Sequence, residues 1–301
     1  MGDVRIFWDP RGVTLDSLGR KRFLRVTDGD TPYVSFSIRM LSIDTPEVHY
    51  PGNQDPARHD ERLAELAEWI RRGAAPVDDG LAAHLHPRLA TGRAGSLQKA
   101  QGEAATRAFE ALLEARLSRP GGRRRAVFLR GADRPFDQYG RVLAYMAPSY
   151  SRAERERLSR RERATFNLLM VESGWAAPFP IYPNLPRHED LVLLREAARR
   201  AVTERRGAWA DPAMLTGYEF RMCYRLWEVT RRLRRGRRLG TAERRGWVHR
   251  YCVDMTSREI FEPADYHRVA PFDRLFVWPE EVPEAVARLN LEPPRRPPSY
   301  Q

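Results

Sequence analysis

The chain has 301 residues, enough for about two domains, and its two cysteines exclude a disulfide scaffold and a four-cysteine zinc site. It has no apolar run long enough to cross a membrane and no secretory signal in its first residues, so we expect a cytoplasmic protein. The net charge of +12, with lysine only at positions 21 and 99, either favours a polyanionic partner such as nucleic acid or reflects codon usage alone.

Residues 22–48 predict two strands joined by a tight turn. The turn signal is Asp28-Gly29-Asp30-Thr31-Pro32, after which apolar and polar residues alternate up to Met40 with the period of a strand. The second strand must end before Pro46, which has no N–H to donate to a sheet. This places Asp44 and Glu47 just beyond a strand end.

Residues 49–98 look like an insertion into this pattern. Helical periodicity occurs at 57–72, whereas 73–95 is rich in Gly, Pro, Asp and His and predicts a mobile loop. Because the insertion follows Glu47 almost directly, it either borders and gates a site there or is a solvated surface element.

The rest of the chain alternates helices and strands. The patterns predict a helix at 99–117, strands at 126–129 and 141–146, a helix at 151–172, irregular chain at 175–187 and a helix at 188–206. After a boundary at 212 they predict a helix at 213–235, strands at 247–254 and 274–278, a helix at 280–289 and an unfolded tail from Pro293. The predicted domains are therefore 1–212 and a small α+β accessory domain, 213–301.

Three carboxylates, those of Asp30, Asp44 and Glu47, can converge at one end of the predicted hairpin. Hard cations such as Ca²⁺ take oxygen ligands from mixed sources of this kind, including a backbone carbonyl such as that of Thr45. A bound metal polarises a phosphate oxygen, and a carboxylate that does not bind the metal can take a proton from attacking water.

Two arginines accompany these carboxylates. Arg39 precedes Asp44 by five residues, and Arg141 begins a strand after a Tyr-Gly turn. Guanidinium groups stabilise the charge that develops on a phosphate under attack. Together with the carboxylates they indicate phosphodiester hydrolysis.

The joint order of these segments resembles the staphylococcal nuclease (thermonuclease) family. The matching segments are VTDGDT at 26–31, RMLSIDTPE at 39–47, GEA at 102–104, DQYGRVLAY at 137–145, LMVESG at 169–174 and HE at 188–189. The resemblance covers 20–212 apart from the insertion. It implies a five-stranded OB-fold β-barrel with packed helices, an α+β fold.

The resemblance also implies roles for the matching residues, and substrates. Family members cleave DNA and RNA at the 5′-side P–O bond and leave 3′-phosphate ends, so the resemblance implies a nuclease. It also implies that this nuclease depends on Ca²⁺, with Mn²⁺ or Mg²⁺ as alternatives. The implied roles are Ca²⁺ ligation by Asp30, Asp44 and the Thr45 carbonyl, support of the metal by Asp28, general base catalysis by Glu47, phosphate binding by Arg39 and Arg141, and nucleotide contact by Tyr139 and Tyr182.

Two other functions stay open at this point. The first is an OB-fold module that binds single-stranded nucleic acid without cutting it, since barrels of this type bind strands. The second is a protein-interaction scaffold in which the C-terminal domain makes the contacts. The intact set of carboxylates and arginines favours the nuclease.

The C-terminal region resembles no family. The arginines between Arg231 and Arg238 either contact a phosphate backbone or form a solvated helix end. Its aromatic residues are expected to form a small core. In the insertion, His84 and His86 have no ligand partner spaced beside them, so we do not expect a transition-metal site there.

Overall fold

The computed structural model describes residues 18, 20–119 and 121–292, with the backbone alone at 133 and 134. The predicted unfolded tail from Pro293 lies outside the described residues. The strands are β1 (Phe23–Val26), β2 (Pro32–Val34), β3 (Ile38–Met40), β4 (Ser42–Asp44), β5 (Val127–Phe136), β6 (Val142–Pro148), β7 (Ala177–Phe179), β8 (Tyr251–Asp254), β9 (Ile260–Phe261) and β10 (Arg274–Val277). The helices are α1 (Asp60–Arg71), α2 (Asp79–Leu89), α3 (Ala94–Leu117), α4 (Arg152–Arg157), α5 (Phe166–Glu172), α6 (His188–Thr203), α7 (Gly217–Arg234), α8 (Thr241–Arg245) and α9 (Val282–Leu289).

The strands of the described residues form small separate sheets. Their orders are β1-β2, β3-β6-β5, β4-β7 and β9-β8-β10. The mixed α+β class is confirmed, but the predicted five-stranded barrel is not, because the sheets within the described ranges are not closed.

The chain divides into two compact units. The first comprises the residues up to Arg39 together with Gly131–Ala144, and the second comprises Met40–Arg130 and the residues from Tyr145. In the first unit, the hairpin β1-β2 leaves Phe23, Leu24 and Val26 more than half exposed. The ring of Phe36 lies 5.5 Å from that of Phe136.

The main hydrophobic core of the second unit combines the predicted insertion with the C-terminal region. Helices α1 and α2 pack with α7 and with the sheet of β8 and β10. Its fully buried members include Leu63, Leu66, Leu81, Leu85, Leu89, Phe220, Cys223, Leu226, Cys252, Tyr266 and Phe276. The expected buried thiols are therefore confirmed. Aromatic residues of the C-terminal region are buried as expected, but in a core shared with the insertion and not in a small core of their own. The domain boundary after residue 212 stays a prediction.

The expectation of a mobile loop over 73–95 is wrong, because this segment contains α2 and the start of α3. The Asp78 side chain caps α2 by accepting a hydrogen bond from the Leu81 N–H at 2.7 Å. Leu81, Leu85 and Leu89 recur every four residues and are fully buried. The His and Pro between these leucines, and the Gly, Pro and Asp on either side of them, concealed this stripe in the sequence.

The expectation of one helix over 151–172 is also wrong. The segment forms α4 and α5, each with its own N-cap: Ser151 accepts from the Glu154 N–H, and Thr165 accepts from the Leu168 N–H. An N-cap residue has extended backbone geometry, so Thr165 interrupts helical continuity. In the chain predicted to be irregular, Ala177–Phe179 form β7, which pairs with β4.

We expect Leu85→Ala to lower the free energy of unfolding by about 2–5 kcal/mol, because truncating a fully buried leucine leaves a cavity. Chemical denaturation followed by circular dichroism measures the change. The matched control is Val192→Ala on α6, at a side chain 39% exposed, where the loss should be small. Equal effects of the two variants would contradict a packed α2.

Candidate active site

The short strand β4 positions the first predicted site residue in the second unit. Its pairing with β7 is antiparallel and sets Asp44 opposite Ala177. All of β4 is buried, and the hydroxyl of Ser42 lies 2.6 Å from that of Tyr145. The Asn167 side chain donates to the Leu41 carbonyl at 2.8 Å and fixes the turn before the strand. The carboxylate of Asp44 is therefore held in the protein interior, 1% exposed.

Helix α3 approaches the segment after β4 very closely. A Cβ added to Gly102 would lie 2.9 Å from the carbonyl oxygens of Pro46 and Glu47, which explains why glycine stands there. In the orientation that satisfies its hydrogen bonds, the Gln98 amide accepts from the Glu47 N–H at 2.8 Å and donates to the Leu215 carbonyl at 3.1 Å. The backbone of Glu47 is thus tied to the chain that leads into α7.

Helix α7 closes the other side of this segment. Its first turn is fixed by a capping box in which Thr216 and Glu219 bond each other's backbone N–H groups. A Cβ added to Gly217 would lie 2.3 Å from the Thr45 carbonyl oxygen and 2.8 Å from Asp44 Oδ2. Only glycine permits this approach with the backbone as it stands.

One turn along the same face of α7, Arg221 pairs with both carboxylates. Its Nη2 lies 3.1 Å from each oxygen of Asp44, and its Nη1 donates to Glu47 Oε1. Burial opposes the charged form, but the carboxylates of Asp44 and Glu47 outweigh it and raise the pKa of Arg221. We call Asp44, Glu47 and Arg221 the carboxylate site.

A second arginine lies within electrostatic reach of the carboxylate site. The guanidinium of Arg250 stacks over the ring of Trp278 at 4.1 Å and over that of Phe179 at 5.3 Å. Burial is the largest cause that lowers the pKa of Arg250, to about 10, and the charge of Asp44 acts in the opposite direction. Arg250 is therefore still a cation at neutral pH.

The first unit carries the other predicted carboxylates and Arg39. The turn between β1 and β2 is closed by a hydrogen bond from the Thr31 N–H to the Asp28 carbonyl at 3.4 Å, and the Thr31 hydroxyl donates to Asp30 Oδ1 at 3.1 Å. Side-chain hydrogen bonding with Thr31 is the largest cause that lowers the pKa of Asp28. Arg39 lies in β3.

The turn before β6 holds Arg141 in a defined orientation within the first unit. Asp137 accepts hydrogen bonds from the N–H of Tyr139 at 2.9 Å, the N–H of Arg141 at 3.0 Å and the Nε of Arg141 at 2.7 Å. Burial disfavours the ionised form of Asp137, but these hydrogen bonds outweigh burial and lower the pKa of Asp137. The guanidinium of Arg141 lies 5.3 Å from the ring centre of Tyr139, which is 69% exposed. The turn therefore presents a cation and an aromatic ring side by side.

A family model described as "Staphylococcal nuclease homologue" matches residues 37–211, more than half of the chain. The chain belongs to this family. Its members are typically nucleases. No curated protein matches the chain. The match contains Arg39, Asp44, Thr45, Glu47 and Arg141, whereas the turn of β1 and β2 and all of α7 lie outside it.

In the described part of the chain, no helix is long and apolar enough to span a membrane.

The metal that the staphylococcal nuclease family implies can be tested against the residues of the second unit. Asp44, Glu47 and the Thr45 carbonyl offer the oxygen atoms that Ca²⁺ prefers. However, Arg221 already engages both oxygens of Asp44 and one of Glu47, and Gly217 packs against the Thr45 carbonyl. As they are placed, these residues do not fit a Ca²⁺ ion beside Arg221. No group of three His, Cys, Asp or Glu residues in the described ranges is arranged to hold a metal.

Tyr182 lies in the second unit, in a hydrophobic cluster with residues of β8, β10 and α9. Its side chain is 4% exposed, and its N–H donates to the Phe276 carbonyl at 2.9 Å. Its assigned contact with a nucleotide stays a prediction. Of the two tyrosines selected from the sequence, Tyr139 is the exposed one.

Sequence reasoning missed Arg221 and Gly217. They stand four residues apart, so they share one face of a helix, and this spacing is the only signal the sequence offers. Both lie in a region without family resemblance and more than 160 residues from Asp44 and Glu47, so nothing local linked them to the site.

A buried ionic network holds α7 in place. Glu219 accepts a hydrogen bond from His84 Nε2 at 2.9 Å and lies 3.6 Å from Nη1 of Arg274. Burial opposes its ionised form, but the bond to His84 and the charge of Arg274 lower the pKa of Glu219 below its ordinary value. Helix α2, helix α7 and strand β10 are joined at this carboxylate. His84 thus has a structural partner that the sequence did not reveal.

Glu219→Gln is expected to lower the free energy of unfolding by about 3–5 kcal/mol at neutral pH, because it leaves Arg274 without its buried counter-charge. Since the pKa of Glu219 is lowered in the folded state, the wild type loses this stabilisation as the pH falls below the carboxyl's ordinary value. The difference between wild type and variant should therefore shrink in acid. Denaturant melts over a pH series measure it, with the exposed Glu110→Gln on α3 as control. A difference that stays constant with pH would contradict this role.

Proposed function

We propose that the protein binds nucleic acid and hydrolyses its phosphodiester bonds, with Glu47 as general base and Arg39 and Arg141 bound to the phosphate. Family membership supports the reaction class. The observation that carries the proposal is the placement of Glu47: its backbone is fixed by Gln98 and Gly102, and its carboxylate group pairs with the guanidinium of Arg221. A general base must be held in this way, in a defined position and in its carboxylate form.

In the proposed reaction, Glu47 takes a proton from a water molecule. The water oxygen forms a bond to phosphorus while the bond from phosphorus to the 5′ oxygen breaks. The leaving oxygen receives a proton, so one water is consumed and the products are a 3′-phosphate and a 5′-hydroxyl. Arg39 and Arg141 stabilise the negative charge on the phosphate in the transition state. Ca²⁺ has no part in this proposal, because Arg221 engages both oxygens of Asp44, one of the implied ligands.

Binding of the strand is proposed to use the turn before β6. The guanidinium of Arg141 is aligned by Asp137, so little side-chain entropy is lost when it meets a phosphate. The exposed ring of Tyr139 offers a surface on which a base can stack. The net charge of +12 adds a general attraction for polyanions.

A specific observation favours a second candidate, a nucleic-acid-binding protein that does not cleave. Arg221 neutralises the proposed base as well as Asp44. A carboxylate with a guanidinium partner gains less from accepting a proton, which weakens it as a base. The two candidates differ in one result, cleavage.

For the hydrolytic proposal, Glu47→Gln should lower kcat by about 10²–10⁴-fold, because the amide cannot accept the proton of water. The measurement is cleavage of labelled single-stranded DNA, double-stranded DNA and RNA, with dissociation constants from fluorescence anisotropy in parallel. The control is Glu61→Gln, an exposed residue of α1 that should cleave like the wild type. Circular dichroism confirms that both variants fold.

Cleavage by the wild type that persists undiminished in Glu47→Gln would contradict the role of Glu47. Binding without cleavage by the wild type would contradict hydrolysis and support the second candidate.

Tyr139→Ala is expected to cost about 1–3 kcal/mol of binding to a single strand, the usual contribution of one stacked base. Tyr139→Phe keeps the ring and should bind like the wild type. Anisotropy titrations at a fixed salt concentration measure both. Equal dissociation constants for the alanine variant and the wild type would exclude Tyr139 from the nucleic-acid interface.

A further inference from the structure

The strongest unexplained feature of the second unit is the arginine at the centre of its carboxylates. Arg221 reaches Asp44 and Glu47 with two different nitrogen atoms, so one guanidinium bridges both groups. Its side chain is 22% exposed, and the Asp44 side chain is 1% exposed. A charge buried to this degree needs a partner, and Arg221 is a partner that both carboxylates share.

The helix that carries Arg221 is fitted to this position. Gly217 lies one turn before Arg221, and because it has no side chain it avoids a clash with the Thr45 carbonyl and the Asp44 carboxylate. The capping box at Thr216 fixes where the helix starts, and the bond from His84 to Glu219 fixes it from the opposite side. These contacts fix α7 at separate places, and α7 therefore holds Arg221 beside the carboxylates of Asp44 and Glu47.

The positive charges near the carboxylate site and the hydrogen bonds already made by its oxygens both disfavour binding of an additional cation. The bridging guanidinium pairs with Asp44 and Glu47, and the charge of Arg250 also acts on Asp44. A divalent ion here would add two positive charges next to two arginines at low solvent exposure, where repulsion is poorly screened. The oxygens that it would use already serve as acceptors for Arg221.

We infer that Arg221 is the resident counter-ion of Asp44 and Glu47, that it excludes Ca²⁺ from them in the wild type, and that its removal creates a Ca²⁺ site. Without the guanidinium, Asp44 and Glu47 lose the cation that bridges them, and carboxylate oxygens are ligands that a hard divalent cation takes. Arg221 acts through Asp44 and Glu47 and is thus a positioning residue. The inference concerns cation binding alone, so it stands or fails independently of hydrolysis.

The test compares Ca²⁺ binding by the wild type and by Arg221→Gln without nucleic acid. Isothermal titration calorimetry with millimolar CaCl₂ gives the affinity, and the melting temperature with and without CaCl₂ gives an independent readout. We expect no binding and no shift for the wild type. For Arg221→Gln we expect binding and a higher melting temperature with Ca²⁺, since a ligand that binds only the folded state stabilises it.

Two variants control the comparison. Arg225→Gln removes an exposed arginine one turn further along α7 and should behave like the wild type, which separates a local effect from a general loss of positive charge. Adding Asp44→Asn to Arg221→Gln should abolish the new binding, because it removes a carboxylate from the site.

Two results would overturn the inference. The first is Ca²⁺ binding by the wild type that Asp44→Asn abolishes, which would show that Arg221 yields to the ion. The second is a folded Arg221→Gln that binds no Ca²⁺. If Arg221→Gln does not fold, the comparison of the wild type with Asp44→Asn still tests whether Arg221 excludes Ca²⁺. Ca²⁺ binding by the wild type that is lost in Asp44→Asn would refute exclusion, and the absence of such binding would support it.

Discussion

The account of this protein depends on one interaction, the ion pair of Arg221 with Asp44 and Glu47. Asp44 and Glu47 lie within the residues that match the staphylococcal nuclease family, and Arg221 comes from a helix outside that match. The C-terminal region is therefore part of the site in the second unit. Any reaction at Glu47 takes place beside a guanidinium supplied by α7.

The packing of the second unit explains how a distant helix reaches this point. Leucines of α2 and aromatic residues of α7 and β10 share one core, which fixes the helix against the insertion. Glu219 adds a buried link to His84 and Arg274, and Gly102 and Gly217 let α3 and α7 approach the backbone of residues 45–47 from two sides. Each contact is modest, but together they leave the carboxylate site little freedom to rearrange.

The sequence was most informative where local pattern decides structure. Alternation predicted one strand after the turn at 28–32, but the structure divides it into β2, which ends at Val34, β3 at Ile38–Met40 and β4 at Ser42–Asp44. Turn chemistry predicted the turn at Arg141, whose geometry Asp137 sets with three hydrogen bonds. It failed over 73–95, because a buried stripe of three leucines was outweighed by Gly, Pro and His in the composition. The partner of Asp44 and Glu47 was out of reach, because an ion pair spanning 174 and 177 residues leaves no local trace in one sequence. The roles of Asp28, Asp30 and Tyr182 remain predictions from the resemblance.

The central claim is that a guanidinium of the protein itself bridges Glu47 and Asp44, the latter a residue at which the family resemblance implies Ca²⁺. A crystal structure of the wild-type protein grown in millimolar CaCl₂ tests it most directly. The account predicts the Arg221 guanidinium within hydrogen-bonding distance of Asp44 and Glu47, with no cation bound to either. A Ca²⁺ ion coordinated by Asp44 and the Thr45 carbonyl, with Arg221 displaced, would contradict it.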